Sequence, residues 1–365
     1  MKSFNEHINL KEENIKPYEI LMFTNKLDDA RDVSDGGSNN TLRALMKKSA
    51  EKAGVKIHFV DFNGLHIERK GGKTFVHSYG YRDDDQGGIA LPNEKGELEV
   101  PKQKPIEIHP DKTIIFSRGL GTPGMTGVQT WTDYIHELEY EGYLTVPTID
   151  CWYKCCSKYL TDILCRREGL NTPLTVPITY SDDTARVMKE HFNDEFPVIL
   201  KTSTGSQTGV GVLIMESMRS LNSTVQMLKL YENTLPILIQ EYIKTDHDVR
   251  VIILDGEVKA VMKREVIQGD DFRSNVSLGA GTDDYELTDL EKEDSIKAAK
   301  AVGGRLVGVD FIPANNREKE QPYILEVNSM PGFGGIEKIQ KGMTQEIMEY
   351  FKNRDNWDNP IDNDE

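Results

Sequence analysis

Asp310, Glu326 and Asn328 interrupt two short apolar, β-prone runs, Val309-Asp310-Phe311 and Leu325-Glu326-Val327-Asn328. Both runs read as buried strands, and a buried carboxylate is costly unless it is paired or bound to a metal. Successive strand residues point to opposite faces, so Glu326 and Asn328 share one face. If the chain between the runs folds back, Asp310 meets them from the neighbouring strand. Hard oxygen donors without cysteine or histidine suit magnesium better than zinc. The alternative is a pair of structural salt bridges.

A second group carries positive charge. Lys201 ends an apolar strand at the start of the loop Lys201-Thr202-Ser203-Thr204-Gly205-Ser206-Gln207-Thr208-Gly209-Val210-Gly211-Val212. Small hydroxylated residues and glycines let backbone amides close over an anion. The GK[ST] order of a Walker loop is absent. A lysine at such a strand end either snorkels to water or meets an anion. Further along, VMKREVIQGDDFRSN adds Lys263, Arg264 and Arg273, and arginine suits paired hydrogen bonds to carboxylate or phosphate. A solvated charged turn is the other reading of that segment.

The elements that must position these groups follow from periodicity. Glu19 to Thr24 and Lys56 to Phe62 read as strands around a helix from Thr41 to Ala53, ended by Gly54. Gly36 and Gly37 before that helix lack the glycine spacing of a dinucleotide fingerprint. Residues 64 to 105 form a Gly-, Lys- and Asp-rich insertion of hairpins. Thr113 to Ser117 is a strand whose carboxyl end carries Arg118, where open α/β sheets bind substrates; a helix from Thr130 to Tyr140 follows. A second segment, 151 to 243, holds helices at Lys158 to Glu168, Ser181 to His191 and Ser217 to Tyr231. Its strands are Phe196 to Lys201 and Ile237 to Ile243. A third, 244 to 352, has strands Val249 to Leu254 and Val258 to Arg264 joined at Asp255-Gly256, a hairpin signal. It adds a helix from Leu290 to Val302, the two acidic strands and a last helix around Met343 to Phe351. Residues 353 to 365 read as an acidic disordered tail.

The 365 residues carry a net charge of −16, which opposes nucleic-acid phosphates and anionic membranes. Met1 to Glu19 has no apolar signal core, and no run approaches a bilayer span, so the expected location is cytoplasmic. Cys151, Cys155, Cys156 and Cys165 match no zinc spacing and read as packed, reduced thiols.

Taken together, the motifs resemble the ATP-grasp ligases, and within them the ribosomal-protein glutamate ligases of the RimK type. The likeness runs from about Ile114 to the last helix. It rests on Lys201 with its loop, Gln240-Glu241-Tyr242-Ile243, Asp248-Val249-Arg250, Phe272-Arg273-Ser274-Asn275, Gly308-Val309-Asp310, Leu325-Glu326-Val327-Asn328-Ser329-Met330-Pro331-Gly332 and Gly335-Ile336-Glu337. It implies an α/β chain of the α+β ATP-grasp class: a Rossmann-like first domain over 1 to 150, then two α+β subdomains clasping ATP. By the same likeness Lys158 and Lys201 contact the ATP phosphates, and the loop with Gly205, Ser206, Gln207, Gly209 and Gly211 closes over them. Glu241 and Tyr242 lie at the adenine edge and Asp248 near the ribose, with Gln240 and Ile243 also binding the nucleotide. Asp310, Glu326 and Asn328 hold Mg2+, two ions, with Mn2+ as a substitute, and Arg273, Ser274 and Asn275 assist at the nucleotide. Arg264, Arg273 and Asn275 are the catalytic candidates, with the two arginines meeting the acyl phosphate or substrate carboxylate; Arg118 is a candidate for an acidic substrate.

The implied reaction joins a carboxylate to an amine through an acyl phosphate, adding glutamate or another amino acid to a protein terminus, peptide or small molecule and releasing ADP and phosphate. The likeness also implies a homo-oligomer and no nucleic-acid or membrane partner. The phosphate loop carries an extra residue near Thr208, the Gln268 to Arg273 segment another, and the stretch from Tyr242 to Asp248 is short. These departures bear on substrate identity. A small-molecule kinase on the same fold and a non-catalytic ATP-binding module are the competing readings.

Overall fold

The computed structural model describes residues 19–24, 38–62, 65–77, 91–92, 98–99, 105–121, 123, 127–180, 183–204, 211–231, 236–265, 282–332, 337 and 340–357. They form two compact units: Met1–Gly121 with Met125–Ile149 and Gly342–Asn359, and Thr122–Gly124 with Asp150–Lys341 and Pro360–Glu365.

The first unit begins with β1 (Glu19–Thr24), α1 (Ser38–Ala53) and β2 (Lys56–Asp61), then the hairpin β3 (His66–Lys70) and β4 (Lys73–His77). The short strands β5 (Leu91–Pro92), β6 (Leu98–Glu99) and β7 (Ile106–Ile108) lead to β8 (Thr113–Ser117), α2 (Val128–Tyr140) and β9 (Leu144–Val146). A parallel sheet runs in the order β2-β1-β8-β9. The middles of its central strands are apolar, as a parallel sheet covered on both faces requires: Ile20, Leu21, Met22, Phe23, Ile114, Ile115 and Phe116 are all buried. The insertion supplies the antiparallel sheet β3-β4-β7 and the pair β5-β6, in agreement with the expected hairpins.

At the amino end of this sheet Glu19 is buried yet charged. Its carboxylate takes Thr113 Oγ1 at 3.1 Å, Lys112 Nζ at 3.2 Å and His58 Nε2 at 3.4 Å. Burial alone would raise its pKa, but His58, Lys112 and Thr113 outweigh it and hold the carboxyl at about 2.

The second unit contains α3 (Ile149–Cys156) from Asp150 onward, α4 (Lys158–Arg167), β10 (Thr175–Ile178), α5 (Asp183–His191), β11 (Val198–Thr202), β12 (Val212–Met215), α6 (Met218–Tyr231) and β13 (Ile237–Glu241). It continues with β14 (His247–Leu254), β15 (Glu257–Glu265), β16 (Thr282–Asp283), α7 (Asp289–Ala301), β17 (Leu306–Ile312) and β18 (Tyr323–Asn328). Two antiparallel sheets result, β10-β13-β11-β12 and β16-β15-β14-β17-β18. Each packs one face on helices. In the smaller sheet Val198, Leu200, Ile237, Ile239 and Met215 pack with Val187 and Met188 of α5 and Leu221 and Val225 of α6. In the larger, Val249, Val251, Ile253, Val307, Val309 and Phe311 pack with Ala298 and Ala299 of α7 and with Val302 just after it. Asp255 and Gly256 both take positive φ, 49° and 74°, as the tight β14–β15 turn demands.

Some expectations change. The last helix, α8 (Met343–Lys352), was assigned by sequence to the third segment, but it belongs to the first unit and packs on α1. Its buried stripe, Met343, Ile347, Met348 and Phe351, reads equally well for either core, so periodicity could not choose. The expected tail is also ordered at its start. Trp357 is buried, and its Nε1 donates to the Phe351 carbonyl at 2.8 Å, closing the end of α8. Residues 358–365 lie outside the described residues, as do Ser181, Gly36 and Gly37. α1 begins at Ser38, ahead of its first apolar position. α3 and β9 are additions, and Cys151 and Trp152 are buried on α3. All four cysteines are free; burial pushes the Cys156 and Cys165 thiols up to about 12.

Glu19→Gln should cost about 2 kcal/mol at pH 7. A depressed carboxylate pKa stabilises above the unfolded value, so the deficit should shrink as pH falls from about 4.5 towards about 2. Thermal denaturation of both proteins at pH 7 and pH 3.5 would check this; an equal deficit at both would contradict it.

Candidate active site

The larger sheet of the second unit puts its charged residues on the face opposite the helix-packed core. Cross-strand register sets Asp248 opposite Arg264, Arg250 opposite Asp310, and Asp310 opposite Glu326, with Asn328 opposite Gly308. Directly opposed residues share a face, so Asp248, Arg250, Arg264, Asp310, Glu326 and Asn328 form one polar surface. The β17–β18 register shifts between Asp310 and Phe311, whose partners are Glu326 and Ile324, leaving Leu325 as the extra residue. That bulge lets Glu326 face the polar side while Ile324, two residues earlier, joins the apolar core. Simple alternation would have put both on one face.

Asp310 is buried and held by two arginines. Arg250 donates Nε to Oδ1 at 2.7 Å and a terminal nitrogen to Oδ2 at 2.6 Å, and an Arg264 nitrogen lies 3.0 Å from Oδ2. Burial opposes ionisation, but Arg250 and Arg264 override it and hold the carboxyl at about 2. Arg264 in turn forks onto Asp248, with hydrogen bonds of 2.6 and 2.8 Å. Burial disfavours its charge, and Asp310 and Asp248 more than offset that, raising its pKa. Asn328 Nδ2 donates to Glu326 Oε1 at 3.1 Å and to Asp310 Oδ2 at 3.4 Å. The salt-bridge reading of the carboxylates therefore describes Asp310 in this state. The carboxylate oxygens of Asp310 and Glu326 meet here beside the Asn328 amide, and oxygen ligands of this kind fit a hard divalent cation. Among the described residues no group of three or more His, Cys, Asp or Glu side chains is placed to hold a metal ion, so a cation here would rest on Asp310, Glu326 and the Asn328 amide.

Lys201 lies on the polar face of the smaller sheet. It is buried, and its Nζ donates to Gln240 Oε1 at 2.9 Å. Burial pushes the amine down to about 8, helped by the charge of Lys158 and opposed by Glu326 and Asp162. Lys158 reaches this region because the Lys158 N–H donates to the Ser203 carbonyl at 2.9 Å, tying the start of α4 to the end of β11. Ser157 caps that helix by accepting from the Leu160 N–H at 3.2 Å. Asp162, one turn along from Lys158, is buried and bonded to Arg166 at 2.7 Å and Thr172 at 2.6 Å.

At the end of β13 the Glu241 N–H donates to the Leu174 carbonyl at 2.8 Å, and Leu174 N–H returns a bond to Glu241 Oε2 at 3.2 Å. Glu241 is exposed, with Tyr242 and Ile243 half-buried behind it. Gly211, at φ 85°, closes the β11–β12 hairpin by accepting from the Thr202 N–H at 3.2 Å. The structure thus gathers Lys158, Lys201, Gln240, Asp248, Arg264, Asp310, Glu326 and Asn328 within one unit. Arg118 lies in the other unit, its N–H on the Phe23 carbonyl at 2.7 Å. Gly205, Ser206, Gln207, Gly209, Arg273, Ser274 and Asn275 fall outside the described residues. Arg250, Asp162 and Thr175 were given no role by sequence. An arginine in an apolar strand, a carboxylate four residues after Lys158 and a hydroxyl midway between two prolines were the available signals.

The profile of the RimK-like ATP-grasp domain matches residues 156–351, more than half of the chain. The chain belongs to this family. A probable alpha-L-glutamate ligase from Coxiella burnetii (strain Dugway 5J108-111) is 39% identical over 190 residues, 50% of this chain and 60% of that protein. The chain thus matches less than two thirds of that relative's length. A protein of the same description from Xanthomonas oryzae pv. oryzae (strain MAFF 311018) is 33% identical over 211 residues, 57% of this chain and 68% of its own. Among solved structures, the ATP-grasp ligase PsnB complexed with minimal precursor superposes with a TM-score of 0.62 at 17% identity, covering 93% of this chain and 100% of that one. The fold is ATP-grasp.

Gly308 leaves room for the loop after β18: a Cβ there would lie 2.9 Å from the Pro331 Cβ. Gly308→Ala should therefore displace the Ser329–Pro331 turn and cost about 1–3 kcal/mol. Equilibrium denaturation checks this, and wild-type stability would contradict it.

Proposed function

We propose that the chain is an ATP-dependent carboxylate–amine ligase that adds glutamate, or another amino acid, to an amine- or carboxylate-bearing acceptor such as a protein terminus, peptide or small molecule. The observation that carries this reading is the opposition of two charged surfaces in one unit. Lys158 and Lys201 supply positive charge beside a glycine-rich hairpin, and Glu326 lies within electrostatic range of Lys201. Family membership and the glutamate-ligase description of the relatives supply the substrate class.

A carboxylate cannot expel oxide, so it needs activation. A carboxylate oxygen attacks the γ-phosphorus of ATP, the bond to the β,γ-bridging oxygen breaks, and ADP departs. The amine nitrogen then attacks the acyl carbon, the C–O bond to phosphate breaks, inorganic phosphate leaves, and the amine loses a proton to solvent. No side-chain nucleophile is required. The protein's work is positioning and charge stabilisation. Lys158 and Lys201 hold phosphate oxygens and offset the charge that develops on the transferred group. Arg264, already fixed by Asp248 and Asp310, presents a charged edge to the acyl phosphate. Glu241, Tyr242 and Ile243 border the adenine.

Asp310, Glu326 and Asn328 would hold Mg2+, which when bound neutralises charge on the phosphates. Arg250 keeps Asp310 ionised and oriented for that task. Asp248 is committed to Arg264, so its part near the ribose is to fix that arginine. A homo-oligomeric assembly and a cytoplasmic location belong to the same proposal; among the described residues no helix is long and apolar enough to cross a membrane.

The test is ADP and phosphate release over amino acids and candidate acceptors, with mass spectrometry of the product. Ligation gives a product heavier by one amino-acid residue. Hydroxylamine added to the same reaction should yield a hydroxamate, which a kinase forming a stable phosphate ester would not. ATP bound without turnover across the screen would favour a non-catalytic module. Glu326→Gln should remove most turnover by weakening metal binding, and near-normal turnover at saturating magnesium would contradict its role. Lys201→Ala should raise the KM for ATP or lower kcat about tenfold or more; unchanged ATP kinetics would count against it.

A further inference from the structure

Thr175, Gln240 and Lys201 lie on the face of the smaller sheet opposite its helix-packed core, beside buried Ile199 and Leu238. Thr175 is directly opposite Gln240, and Lys201 is opposite Leu238, two residues from Gln240 on the same strand. All three are buried. Thr175 Oγ1 donates to the Pro173 carbonyl at 2.9 Å, Gln240 Nε2 donates to Thr175 Oγ1 at 2.7 Å, and Lys201 Nζ donates to Gln240 Oε1 at 2.9 Å.

The directions in this chain are forced. A hydroxyl has one proton, and the Pro173 carbonyl takes it, so the Thr175 oxygen is left as an acceptor. Only the NH2 end of the Gln240 amide satisfies that acceptor, which turns the amide oxygen towards Lys201. The ammonium has donors alone, so both ends of the chain demand the same orientation of the amide. A buried lysine otherwise has many rotamers and a desolvated charge.

We infer that Thr175 and Gln240 are positioning residues: Thr175 keys the Gln240 amide, and the keyed carbonyl holds the Lys201 ammonium at the polar face in the orientation that meets an ATP phosphate. The nucleotide half of this inference rests on the ligase reading; the keyed orientation of Lys201 does not. The groups that face the ammonium are Gln240 from β13, Lys158 and Asp162 from α4, and Glu326 from β18. Burial and Lys158 act against its charge, while Asp162, Glu326 and the Gln240 dipole favour it.

Thr175→Val keeps the shape and β-branching and removes only the hydroxyl, and Thr175→Ser restores the hydroxyl on a smaller side chain. Gln240→Leu removes the acceptor itself. The Lys201 ammonium is followed in the ligand-free protein by NMR of 13Cε-labelled lysine, assigned with Lys201→Arg. Loss of the key should lower the Lys201 midpoint by about half a pH unit or more in Thr175→Val and Gln240→Leu, with Thr175→Ser near wild type. In calorimetric titration with Mg-ATP, the Kd should rise roughly threefold to tenfold in the first two variants and recover in Thr175→Ser. A Thr175→Val protein whose Lys201 midpoint matches wild type overturns the inference, even if its thermal midpoint falls. Wild-type protein that binds no ATP, together with a shifted midpoint in Thr175→Val, would instead remove the ligase reading and leave the keyed lysine standing.

Discussion

Charge burial on sheet faces is the constraint on which this site depends. Asp310 is only 2% exposed, and a carboxylate at that depth survives ionised only with compensating charge. Arg250 and Arg264 provide it, and Arg264 is itself held by Asp248. Arg264 bridges both carboxylates, so removing it takes a partner from Asp248 and from Asp310. The network fixes one arrangement of four side chains across β14, β15 and β17, and so fixes where Glu326 and Asn328 face on β18. The site's rigidity follows from the cost of its own charges.

The same economy of construction appears in the smaller sheet. Both sheets pack one face on helices and carry their buried charged groups on the other, among apolar neighbours such as Leu238 and Ile252. On the smaller sheet the buried group is a cation, Lys201, supported among the described residues by the Gln240 carbonyl and not by a direct ion pair. An amide acceptor stabilises an ammonium without neutralising it. That leaves its charge available to an anion, whereas a carboxylate at residue 240 would consume it. Anionic and cationic surfaces built this way suit a polyphosphate chelated by a divalent ion, since each surface matches one of its partners.

Much of this was legible in the sequence, and the reasons are local. Apolar runs ending in charge announced β11, β17 and β18; the Asp255-Gly256 turn announced the β14–β15 hairpin; the order of motifs announced the family. Three things were not legible. The β17–β18 bulge at Leu325 depends on register, which a single strand does not encode. Arg250 stood inside a quoted motif, but its value lies in being opposite Asp310, sixty residues away. The allegiance of α8 to the first unit is a tertiary choice between two cores that its apolar stripe fits equally. The salt-bridge and metal readings of Asp310, posed by sequence as alternatives, turn out to be compatible: the arginines keep ionised the carboxylate that a metal would need.

The central claim is that these charged surfaces activate a carboxylate by phosphorylation, and oxygen tracing tests it most directly. With a carboxylate substrate labelled in both oxygens with 18O, the acyl-phosphate route transfers one labelled oxygen to the inorganic phosphate released with each ligation. Mass spectrometry of the phosphate should show one 18O per amide formed. Amide formation with unlabelled phosphate would contradict the account.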